Sequence, residues 1–104
     1  MTAIIDYDAG NIKSVEKALL FLGEQVCVTR EREKILSADR VILPGVGSFG
    51  KAMERIRSYG LEDVIKEIVS RGTPFLGICL GLQLLFDRSE ECEGVAGLGI
   101  LRGE

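Results

Sequence analysis

Short apolar runs alternate along this chain with stretches whose apolar residues recur every three or four positions, and few folds accommodate that alternation. Residues 3–7 (AIIDY) form the first such run and end in Asp8-Ala9-Gly10-Asn11, where Asn11 can cap a helix carrying Val15, Ala18, Leu19 and Leu22 on one face. Gly23 stops that helix. Residues 25–29 (QVCVT) are β-branched and short, the charged run 30–34 leads into a brief helical turn, and residues 40–43 (RVIL) make a third strand that Pro44-Gly45 ends. Two helical patterns follow over 49–59 and 61–71; in the second, Leu61, Val64, Ile65 and Ile68 share a face and Gly72 closes it. Thr73-Pro74 opens a buried strand over 75–79, followed at once by the helical pattern LGLQLLF and a glycine-rich tail whose Gly99-Ile100-Leu101 reads as a last strand. Strands separated by helices pair in parallel through right-handed crossovers. The expected architecture is therefore an α/β, doubly wound, mostly parallel sheet with helices on both faces, and ligands should meet the C-terminal strand ends.

Composition bounds the function classes. A chain of 104 residues with 46% hydrophobic and 28% charged residues fits one globular domain, which buries roughly 60 to 70% of the surface its unfolded form exposes. A formal charge of -3 with interspersed signs offers no basic stripe for a phosphate backbone, so nucleic acid is not an expected partner. The three cysteines, Cys27, Cys79 and Cys92, are widely spaced, form no CxxC pair and have no histidine to complete a zinc site, so reduced thiols and no metal are expected. An aspartate interrupts the first apolar run far short of a signal peptide, and no stretch approaches 18 apolar residues. These readings favour a cytoplasmic protein with no membrane partner.

The segment after RVIL, PGVGSFGKA, matches two phosphate-binding patterns: GxGxxG at Gly45, Gly47 and Gly50, and GxxxxGK from Gly45 to Lys51. A phosphate loop of the second kind needs a hydroxyl for magnesium directly after the lysine, where this chain has Ala52; the first needs an acidic residue at the end of the next strand, which here ends at Cys79. A third reading is that the glycines let backbone N–H groups turn toward a developing anion, as an oxyanion hole requires. In a doubly wound sheet the loop after RVIL can face the end of FLGIC, which makes Cys79 the candidate nucleophile.

Gly77-Ile78-Cys79-Leu80-Gly81 places that cysteine between glycines at a strand-to-helix junction, the GxSxG elbow with sulfur in place of oxygen. Small neighbours permit the sharp turn, and a helix start favours thiolate. The N–H of Leu80 would be one oxyanion donor and the Val46-Gly47 backbone another. Free cysteine usually packs as a small hydrophobe. That reading suits Cys27 inside QVCVT; Cys92, in polar SEECEG, is expected to be an exposed bystander.

GICLGLQ resembles the nucleophile motif of the class I, triad-type glutamine amidotransferases, and LPGVGSFG resembles the oxyanion strand of one branch of that family, a glutaminase subunit; YDAGNIKSV and GVAGLGIL extend the similarity over the whole chain. The resemblance implies a truncated flavodoxin-like fold in which residues 1–104 are the N-terminal part of one amidotransferase domain. It implies that Cys79 attacks the carboxamide of glutamine to form a glutamyl thioester, that Val46, Gly47 and Leu80 surround the oxyanion, and that Gly45, Gln83 and Glu91 help hold glutamine. It implies no cofactor, and a (β/α)-barrel cyclase subunit as the partner receiving ammonia, toward which Asn11 and Lys13 could lie; a helix cap and a surface lysine explain those two equally well. The family also uses a histidine and a glutamate from a later segment, and this sequence contains no histidine. A thiol needs a base to hold it as thiolate and an acid to protonate the leaving amine, so the 104-residue chain alone is expected to be inactive. The alternatives are a non-enzymatic α/β binding module with a nucleotide at Gly45 to Lys51, or another cysteine α/β hydrolase.

Overall fold

A computed structural model describes residues 1–10, 12–45, 47–78, 81, 84–85, 88–89 and 92–100. Four strands, β1 (Thr2–Ile5), β2 (Val26–Thr29), β3 (Arg40–Leu43) and β4 (Phe75–Gly77), form one parallel sheet in the order β2-β1-β3-β4. The connections are helices: α1 (Ile12–Phe21), α2 (Arg32–Ser37), α3 (Phe49–Ser58) and α4 (Leu61–Ser70). This is the expected doubly wound topology, with β1 and β3 flanking the point where the winding reverses.

Right-handed crossovers fix which helix lies on which face. One face of the sheet, carrying Ala3, Ile5, Val41 and Leu43, packs with Ile35 of α2, Phe49, Met53 and Ile56 of α3, and Leu61, Val64, Ile65 and Ile68 of α4. The predicted stripe of α4 is thus the buried one. Gly60 precedes it in a left-handed conformation, φ 69°, which breaks the chain between two helices that would otherwise run together.

Four expectations change. The strand expected to be buried over 75–79 is β4, Phe75–Gly77, and its Leu76 is 55% exposed because it sits at the edge of the sheet beyond the reach of α1. Helix α1 presents Ile12, Val15, Glu16 and Leu19 as its half-buried stripe, while Ala18 and Leu22 are exposed and none of its residues is fully buried. The reason is that no other described helix lies on this face of the sheet to fill the other flank of α1. Gly99 and Ile100 are not a strand: Gly99 has φ 68°, which extended backbone cannot hold, and Ile100 packs against the core as a loop residue. Finally, Arg88–Ser89 (β5) and Cys92–Ala96 (β6) form a two-stranded antiparallel ribbon in the segment read from the sequence only as a glycine-rich tail, so Cys92 belongs to a strand.

Candidate active site

The C-terminal ends of β1, β3 and β4 converge as the winding requires. β3 and β4 are parallel neighbours, Leu43 opposite Gly77, and the pairing continues one residue further through the Ile78 N–H to the Leu43 carbonyl at 3.0 Å. The N–H of Gly81 then returns to the Ile78 carbonyl at 2.9 Å, so the strand ends in a tight turn. Gly81, which is helical and buried, lies against the root of the glycine loop: a Cβ there would fall 1.9 Å from the Leu43 carbonyl oxygen and 3.3 Å from the Pro44 carbonyl carbon. Those are backbone atoms that no rotamer change can move, which accounts for glycine at this elbow position. The structure thus brings together the root of the PGVGSFG segment, at Leu43 and Pro44, with Ile78 and Gly81.

Cys79 and Leu80 themselves, with Val46, Gln83, Glu91 and Asn11, lie outside the described residues. Gly45 is buried at the end of β3. Gly47 is exposed with φ 105°, and nothing lies within 4 Å of where its Cβ would be, so backbone conformation rather than crowding calls for glycine. Ser48 is the N-cap of α3. A cavity of about 260 Å³ beside this loop is lined by Tyr7, Ala9, Gly47, Ser48, Lys51 and Arg55, among others. Ala52 is buried in the core, so the position that would carry a magnesium-binding hydroxyl in a phosphate loop faces inward and has none. Lys13 is exposed on the first turn of α1 and lines a separate cavity with Asp6, Gly10 and Glu16. Cys27 is partly buried in β2, away from the strand ends. Among the described residues no group of three or more histidines, cysteines or acids could hold a metal ion, and no described helix is long and apolar enough to cross a membrane.

The structure adds a cluster that sequence reading missed. Just past β1, Tyr7 is buried and its hydroxyl donates to the Pro44 carbonyl; burial pushes the Tyr7 pKa up. Its neighbour Asp8 is the one described non-glycine residue with a left-handed backbone, φ 68°. The Asp8 carboxylate accepts from the Tyr59 hydroxyl and from Arg30 at 3.1 Å, and its carbonyl accepts from Arg55 at 3.2 Å. The Tyr59 hydrogen bond, followed by Arg30, holds the Asp8 pKa below the ordinary carboxylate value. Arg30 also pairs with Asp6 at 3.3 Å and lies over the Tyr59 ring at 4.0 Å. Sequence reading left Arg30 in a solvated charged run; only the fold brings it to β1.

With the fold and this geometry in place, the comparisons are decisive for class: the chain belongs to the class-I glutamine amidotransferases, whose family model matches residues 3–92. Among relatives, it is 58% identical over its full length to the imidazole glycerol phosphate synthase subunit HisH of Bacillus cereus strain G9842, covering 50% of that protein. It is 50% identical over 103 residues to the subunit of the same name from Methanocaldococcus jannaschii, covering 99% of this chain and 51% of that one. A crystal structure of a glutamine amidotransferase superposes with TM-score 0.80 and 25% identity, over 95% of this chain and 52% of the other. A putative peptidase E from Listeria monocytogenes shares the fold alone, with TM-score 0.76 and 16% identity over 96% of this chain and 62% of the other. The chain spans about half the length of the relatives it matches.

Proposed function

We propose that this chain carries the nucleophile half of the glutaminase subunit of imidazole glycerol phosphate synthase, which hydrolyses glutamine through a cysteine thioester and supplies ammonia to a (β/α)-barrel cyclase subunit in histidine biosynthesis. The observation that supports the reading is the close approach of Gly81 to the backbone of Leu43 and Pro44, at the root of the glycine loop. In this reading the Cys79 thiolate attacks the carboxamide carbon of glutamine. The carbonyl oxygen takes up negative charge between backbone donors of Val46, Gly47 and Leu80, and the C–N bond breaks as ammonia leaves with an added proton. Water then cleaves the thioester to glutamate. Gly45, Gln83 and Glu91 are proposed to hold the amino-acid end of glutamine, and the compartment is cytoplasmic. Closed passage of ammonia to the partner makes the working unit a heterodimer.

The thiol needs a base and the leaving nitrogen an acid, and no histidine is present to fill either role. General acid–base catalysis is worth about 100- to 10,000-fold, so the chain alone should show no steady-state ammonia release. The test pairs labelling with turnover. A γ-diazoketone analogue of glutamine should modify Cys79 ahead of Cys27 and Cys92. Turnover should appear only when the second half of a related subunit is added as a separate polypeptide, and Cys79→Ala should abolish it. Preferential labelling of Cys27 in folded chain refutes the assignment of the nucleophile, and turnover by the chain alone refutes the requirement for the second half.

A further inference from the structure

We infer that Asp8 and Tyr59 are positioning residues that set the glycine loop in place, an inference that rests on the glutaminase reading for its functional meaning. The loop over residues 44–48 joins β3 to α3, and its root and the far end of α3 are fastened to two consecutive residues just past β1. At the root, the Tyr7 hydroxyl donates to the Pro44 carbonyl. At the far end, the loop runs into α3, whose last turn and following residue reach back to Asp8: Arg55 donates to its carbonyl and Tyr59 to its carboxylate. A ten-residue helix is a rod about 15 Å long, so clamping its C-terminal end fixes where its N-terminal end, and therefore Ser48, can sit. Gly47 is the compliant link between the anchors, exposed and with no neighbour near a Cβ position.

Several observations indicate a brace rather than incidental surface pairing. An isolated exposed ion pair is worth little. Here three donors from two parts of the fold converge on one residue: Arg30 next to β2, and Arg55 and Tyr59 from the last turn and C-cap of α3. Asp8 adopts a left-handed backbone that side chains rarely hold, and both its carbonyl and its carboxylate are engaged on partners at the same end of α3. Arg30 is held in turn by Asp6 and by stacking on Tyr59, which ties the brace to the ends of β1 and β2. The carboxylate is half-exposed and beyond the last β1 residue, so it contributes nothing to the sheet ladder.

The test is amide hydrogen exchange on the intact chain. The Ala52 N–H, bonded to the Ser48 carbonyl at 3.1 Å, reports whether the loop stays seated on α3; the N–H groups of Ile4 and Val41 report the sheet. Tyr59→Phe keeps the ring under Arg30 and removes only the hydroxyl. It should speed exchange at Ala52 about five- to tenfold, the effect of one lost hydrogen bond at the upper end of the usual range, and leave the sheet amides unchanged. Asp8→Gly, which suits the left-handed backbone but lacks the carboxylate, should do the same. Asp8→Asn keeps an acceptor oxygen and tolerates that backbone, and should restore Ala52 to within about twofold of the unsubstituted chain. Unchanged exchange at Ala52 in Tyr59→Phe overturns the inference, and so does equal acceleration at Ala52, Ile4 and Val41, which marks a general contribution to stability. If Asp8→Gly does not fold, Tyr59→Phe decides alone. Exchange does not depend on whether Cys79 attacks glutamine, so failure of this test and failure of the labelling test are separate results.

Discussion

The two faces of the sheet are covered to different degrees. Across the row Val28, Ile4, Ile42 and Leu76, which points to the α1 side, exposure rises from 0% at Ile4 to 6% at Ile42 and 55% at Leu76. On the opposite side α2, α3 and α4 close over Ala3, Ile5, Val41 and Leu43. The gradient follows the placement of α1 beside β2 and β1: its Leu19 reaches a cavity of about 270 Å³ over β3 and β4, which also takes in Ile42, Phe75 and Leu76. Phe21 and Leu22, at the end of α1, are 91% and 74% exposed. One helix cannot cover a four-stranded face, and among the described residues the three-helix side supplies most of the buried apolar surface. The relatives are about twice as long as this chain.

The comparison implies that substitutions should separate by face. Phe49, fully buried at the start of α3, packs within the three-helix core, so Phe49→Ala should cost about 3–5 kcal/mol. Against a total stability of about 5–15 kcal/mol this is a large share. Urea unfolding read by circular dichroism measures it. A loss below about 1 kcal/mol would mean that this face is as loosely packed as the other.

Tyr7 belongs to the same buried cluster but contributes through one polar atom. Tyr7→Phe leaves the buried Pro44 carbonyl without its donor and should cost about 1–2 kcal/mol at neutral pH. The pH dependence gives an independent check. The folded-state pKa of Tyr7 is raised above its ordinary 10.0, so the unfolded chain ionises first; the contribution is fully present below about pH 10 and is lost as the pH climbs toward the folded value. The gap between the unsubstituted chain and Tyr7→Phe should therefore narrow by up to about 1.4 kcal/mol per pH unit above pH 10. A constant gap across that range would mean that the hydroxyl is not buried.

Much of this architecture is legible in the sequence because short strands and amphipathic helices are local patterns. RVIL is a strand over the expected residues, and Leu61, Val64, Ile65 and Ile68 are the buried stripe of α4. The meeting of the PGVGSFG root with Gly81 also follows, because parallel neighbours place their following segments side by side. What was not legible depends on distant partners. Asp8 and Tyr59 are separated by 51 positions, and nothing local to YDAGN indicates that its aspartate will bond to the end of α3. The β5–β6 ribbon has an irregular register between Arg88 and Ser89, and the letters of SEECEG show no apolar–polar alternation to mark it. The face of α1 was misjudged because periodicity identifies a stripe without saying how much of it has something to rest on.

The smallest effects should come from the exposed apolar residues of the α1 face, and they bear most directly on the comparison. Leu76→Ala and Phe21→Ser remove side chains that are already largely in water, so each should change the stability of the chain by no more than about 0.5 kcal/mol. An exposed apolar strip is also a surface on which two chains can meet. If a second copy covers it in solution, the loss from Leu76→Ala would rise above about 2 kcal/mol, because a residue buried at an interface is destabilising to truncate in the same way as a core residue. Concentration separates the two outcomes. Stability that comes from association depends on the amount of chain, so the urea midpoint of the unsubstituted protein would move upward across a hundredfold dilution series read from low to high concentration. A midpoint independent of concentration, together with a small loss in both variants, means that the α1 face is open in the isolated chain and that the three-helix face carries its stability. A midpoint that rises with concentration, and ceases to rise in Leu76→Ala, would break the comparison by showing that both faces are covered, one of them by a neighbour.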